Sequence, residues 1–72
     1  MELRTAIALL PKLREVEKLI DEMATIVSAV KNSEEKDQYM LVLSGALIDI
    51  TGEITLPLLD EFPELIELEE KS

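Results

Sequence analysis

Asp49 and Glu53 stand four residues apart, so on one helix their carboxylates project to the same side and offer oxygen donors to a divalent cation. Asp21 or Glu22 is of the right type to complete such a site from a second helix, whereas Glu34 with Asp37 stands at a helix start and Glu64 with Glu67 in the tail, so these two pairs do not form a site pattern. The chemistry would be metal-assisted hydrolysis. Against it, the chain has no histidine and no cysteine, which removes the commonest general base, the commonest transition-metal ligand and the thiolate nucleophile. Ser44 and Thr51 have no imidazole to activate them. Gly45 and Gly52 are isolated, not gathered in a loop that cradles phosphate, and Gly45 reads as a point of close helix approach. Carboxylates on helix faces are ordinarily solvated. We therefore read the chain as non-enzymatic, with no catalytic residue, no metal ligands and no cofactor.

Charge narrows the partners. Residues 1–31 carry five basic and five acidic side chains, whereas residues 32–72 carry two basic and eleven acidic ones, so the whole net charge of −9 lies in the second part. A nucleic-acid binder needs a basic face to displace counterions, and an anionic lipid surface repels an acidic chain. Direct contact with either is not expected. The apolar run Tyr39 to Ile48 stops at Asp49, short of the ~20 residues that span a bilayer, and Ala6 to Leu10 before Pro11 makes a poor secretory signal. Absent cysteine fits a reducing compartment, and the expected location is the cytoplasm.

The elements that must position any site are helical. Leu9, Leu13, Val16, Ile20, Met23, Val27 and Val30 fall at spacings of 4, 3, 4, 3, 4 and 3, a heptad seam that lets one helix pack along another. Upstream, Leu3, Ile7 and Leu10 are offset from that seam by one position, and Pro11 removes a backbone donor, so a break is expected there and the helix is placed at about 12–31. Asn32 with Glu35 has the spacing of an N-terminal capping box, which starts a second helix at about 34–50. Met40, Leu43, Leu47, Ile50 and Ile54 give it a matching seam. Beyond Ile48 the alternation Ile48, Ile50, Gly52, Ile54, Leu56 is also a strand signal. We read a helix that continues to 56, at the cost of carrying Gly52. Pro63 suits the first turn of a short helix at about 63–70, although Glu69 and Glu70 oppose the dipole at its end and favour fraying.

Seventy-two residues make one helical domain, 1–72, of which 47% are hydrophobic, and a chain this short buries only ~60% of its unfolded surface. Without disulfides a partner chain is the expected supplement. The fold class is thus all-α: an antiparallel helical hairpin with a short C-terminal helix, completing a four-helix bundle as a homodimer. Self-association and core are assigned to Leu13, Val16, Ile20, Met23, Val27, Leu43, Leu47, Ile50 and Ile54. A second reading is an acidic inhibitor, antitoxin-like, whose segment Asp60, Glu61, Phe62, Glu64, Leu65 and Glu67 binds a basic partner that itself binds nucleic acid.

Overall fold

Ala6, Leu10, Leu13, Glu17, Ile20, Ala24 and Val27 face inward on the first helix, at spacings of 4, 3, 4, 3, 4 and 3, and all are buried or half-buried. In the computed structural model, which describes residues 1–71, this stripe runs along one helix, α1 (Leu3–Val27). It shares Leu13, Ile20 and Val27 with the expected seam but takes Leu10, Glu17 and Ala24 in place of Leu9, Val16 and Met23. The expected break at Pro11 is absent, for a physical reason. Ala6 and Leu10 are in phase with Leu13, so the packed stripe crosses the proline without an offset. Pro11 and Ile7 lie on the exposed side, so the bond that the proline cannot make to the Ile7 carbonyl is lost away from the core.

The helix also stops before residue 31. Ser28 N–H still donates to the Ala24 carbonyl at 3.0 Å, but Ala29 and Val30 donate to Ile26 and Val27. Bonds three residues back tighten the last turn and close the helix. Asn32 then caps the second helix: its Oδ1 accepts from the Glu35 N–H at 3.0 Å, with Glu34 and Glu35 in the first turn where the dipole favours acids.

From Ser33 the chain stays helical for 29 residues, to Glu61. This stretch comprises α2 (Ser33–Ile50), a π-helical turn (Thr51–Thr55) and α3 (Leu56–Glu61). The π turn settles the ambiguity between helix and strand. Leu56 N–H donates to the Thr51 carbonyl five residues back, so one extra residue is accommodated and the inward face advances. Leu43, Leu47 and Ile50 are half-buried on the near side of the turn, whereas Thr55 at its end and Leu58 beyond it are buried. Ile54, expected in the seam, is carried outward and left 44% exposed.

After Phe62 and Pro63, α4 (Glu64–Lys71) completes three helical stretches and no strand among the described residues. Met1 at the start of α1 lies 3.6 Å from Glu61 at the end of α3. Ala6, Leu10, Leu13, Leu58 and Leu65 form the core, with Leu9, Ile50, Leu59 and Phe62 packed against it. That core gathers where α1, α3 and α4 meet. Toward the connection of α1 to α2, Ile20 alone is buried among the described apolar residues.

Candidate functional site

Glu17 is a charged residue in an apolar seam, and the structure gives it three partners. Thr55 Oγ1 donates to Glu17 Oε2 at 2.9 Å and Thr51 Oγ1 donates to the same oxygen at 3.2 Å. Arg14 Nη1 donates to Oε1 at 3.0 Å. Thr51 and Thr55, four residues apart in the π turn, share the side of the helix that faces α1. Arg14 then reaches past α1 to α4, where its Nε and Nη2 hold both carboxylate oxygens of Glu69 at 2.8 and 3.1 Å. This forked arrangement is the geometry in which arginine binds carboxylate best.

Burial grades across the cluster. Thr55 is fully buried, the Glu17 side chain is 16% exposed, and Arg14 is 42% exposed. Burial pushes the Glu17 carboxyl up, but the bonds from Arg14, Thr55 and Thr51 outweigh it and hold it below the usual carboxylate range. Hydrogen bonding from Arg14 holds Glu69 low as well. The same two carboxylates raise Arg14. No buried side-chain nitrogen or oxygen lacks a partner among the described residues. A satisfied network of this kind fixes register and holds α4 down. It presents no activated nucleophile and no open ligand set.

The remaining acids stay apart. Asp21, Glu22, Asp49 and Glu53 are exposed, and no group of three or more potential ligands converges among the described residues. In the acidic tail, Asp60, Glu61, Glu64 and Glu67 face solvent, but Leu65 is buried and Phe62 half-buried against the core. Leu65 is thus a docking residue within the chain, not a side chain on offer to a partner. Glu69, unfavourable to its own dipole, is held by Arg14, a contact that opposes the expected fraying of the last helix. Arg14 thus ties α1 to α4. Its role was hidden in the sequence by the 55 residues that separate it from Glu69.

Of the residues assigned to self-association and core, Leu13 and Ile20 are buried and Val27, Leu43, Leu47 and Ile50 half-buried. Val16, Met23 and Ile54 are exposed. Around them lies further aliphatic surface. Leu19 and Ile26 stand with Val16 and Met23 at spacings of 3, 4 and 3 on α1, and Leu41, Val42 and Ile48 are more than two-thirds exposed on α2. Gly45 does not mediate close approach within the chain: a Cβ there meets nothing within 4 Å. The stretch Ser33–Glu61, with a mean hydropathy of 1.5 over its most apolar window, is long and apolar enough to cross a membrane. The core helix of a soluble assembly meets the same two conditions. The chain matches no known protein family, no curated protein and no solved structure.

Proposed function

We propose that this chain is a small non-enzymatic interaction protein that self-associates, an antiparallel helical hairpin whose homodimer completes a four-helix bundle. One observation carries the reading. Val16, Leu19, Met23 and Ile26 form a second heptad stripe on α1, beside the one turned toward α2, and are 39%, 55%, 43% and 72% exposed. A soluble monomer rarely leaves a continuous aliphatic stripe of this length in water. α4 covers the other end of the molecule, where the core lies, so this stripe has no cover from within the described chain. A second copy supplies two more helices at the cost of no new sequence, and a two-fold axis lets the same surface serve both partners. The Glu17 network supports the reading from the other side, because it fixes the register of the two helices that would present the stripe.

Sedimentation equilibrium over a wide concentration range tests this. The expected result is a dimer for the natural sequence and a folded monomer for Met23→Asp and Ile26→Asp, with helical circular dichroism retained. A natural chain that stays monomeric at all concentrations removes the proposal.

The acidic-inhibitor reading keeps one support. Asp60, Glu64 and Glu67 are exposed on helices docked to the body, and no ion pair engages them among the described residues. They would meet a basic protein surface as a preformed array. Binding to a basic partner that does not weaken as salt rises counts against it.

A further inference from the structure

We propose that α2 carries a second self-contact, distinct from the α1 stripe, in which the outer side of α2 packs antiparallel against α2 of another copy. Leu41, Gly45, Ile48 and Gly52 succeed one another at spacings of 4, 3 and 4 on the side of the helix away from α1. Leu41 and Ile48 are 75% and 69% exposed. At both glycines a Cβ would meet nothing within 4 Å, so neither is required by the packing inside this chain.

The order of sizes identifies the occupant. Read forward the stripe runs large, small, large, small; read backward it runs small, large, small, large, and its spacings are unchanged by reversal. A two-fold axis between residues 46 and 47 therefore sets Leu41 opposite Gly52 of the second copy and Ile48 opposite its Gly45. Each knob meets a gap, which is the condition for two helices to approach closely with side chains interdigitated. The gap at Gly52 is already shaped. It is a surface groove lined by Leu47, Ile48, Thr51, Gly52 and Leu56, with no charged residue in its wall. An unrelated partner helix would have no reason to match this reversal symmetry, whereas a second copy matches it by construction.

The centre of the contact is uncharged and aliphatic. Residues 38–48 contain no ionisable side chain other than Tyr39, so Leu41, Gly45 and Ile48 meet the second copy without a charge on the seam, and Asp49 stands beside it. Leu41, Val42, Ile48 and Leu56, between 57% and 75% exposed, widen the aliphatic surface around the two glycines. With two isologous contacts on one chain, the assembly extends beyond a dimer, to a closed tetramer or an open array.

Disulfide trapping tests the contact, aided by a natural sequence without cysteine. Leu41→Cys mixed with Gly52→Cys is expected to form a cross-linked pair on mild oxidation. Either variant alone is not, because the axis places its two thiols ~16 Å apart along the helices at 1.5 Å per residue, beyond the ~7 Å between Cα atoms that a disulfide spans. The same mixture in a Met23→Asp background is expected to cross-link still, which separates this contact from the α1 stripe. Leu41→Cys that cross-links to itself as well as to Gly52→Cys overturns the antiparallel register, and a mixture that does not cross-link overturns the contact. As a second measurement, Gly45→Leu is expected to keep or raise the thermal midpoint of the chain while weakening this association about tenfold by filling the gap. An unchanged association constant in Gly45→Leu also overturns the proposal.

Discussion

Replacing Thr55 with valine removes one hydroxyl and almost no volume, at a position with no exposed surface. The bond lost is a 2.9 Å contact to a carboxylate, and hydrogen bonds to charged groups contribute ~1.5–3 kcal/mol. Glu17 keeps Arg14 and Thr51 and is 16% exposed, so the lower end applies and Thr55→Val should cost about 1.5 kcal/mol. In a chain of this size that lowers the thermal midpoint by about 6–12 °C. Glu17→Leu should cost more, because it strands two hydroxyls and leaves Arg14 with Glu69 alone. The informative variant is the double one. Apolar groups on both sides of a former hydrogen bond are nearly neutral in a packed seam, so Glu17→Leu with Thr55→Val should recover at least ~1 kcal/mol of the summed single costs. Urea denaturation followed by helical circular dichroism measures all four chains, at one protein concentration because association adds to apparent stability. Costs that add to within ~0.4 kcal/mol would refute the reasoning, since the carboxylate and the threonine would then be acting independently.

Three other outcomes are expected. Glu17 and Glu69 are both held below the usual carboxylate range, so their stabilisation is complete above about pH 4.3 and is lost as pH falls through their lowered values; acid titration of the natural chain should show this loss, and Arg14→Met should flatten it. Gly45→Ala, with open space around the added methyl, should stabilise the dilute chain by about 1 kcal/mol through helix propensity, read as a higher urea midpoint. Leu65→Ala removes a side chain 1% exposed and should cost about 2–5 kcal/mol; amide exchange over residues 64–71 should accelerate while the middle of α1 keeps its protection.

The parts of this fold that depend on local chemistry were legible. Asn32 accepts from the Glu35 amide as its spacing implies, and the helical reading of residues 49 to 56 holds against the strand alternation. What failed was the choice of inward face on α1. A seam counted from apolar residues alone selects Leu9, Val16 and Met23, because Glu17 is charged and Ala24 small; the buried stripe contains both. The mistaken break at Pro11 has the same origin, since the apparent offset disappears once Leu10 and Glu17 are placed in the stripe. Arg14 and Glu69 were beyond local reasoning altogether. Nothing in the sequence near either one names the other, and only the docking of Leu65 brings them together.

The π turn has a consequence for chain length. An α-helix that gains one residue ordinarily rotates everything downstream by ~100°, which here would turn Leu58 away from the core and release α4. By widening a single turn, Thr51–Thr55 absorbs that residue locally, and the surplus emerges at Gly52, Glu53 and Ile54, all exposed. A chain shortened by one of these three would keep Leu47, Thr55 and Leu58 in phase on an ordinary α-helix. Length variation at this one point therefore keeps the core in phase, whereas the same deletion at Leu43 or Leu47 would throw the whole second half of the molecule out of phase.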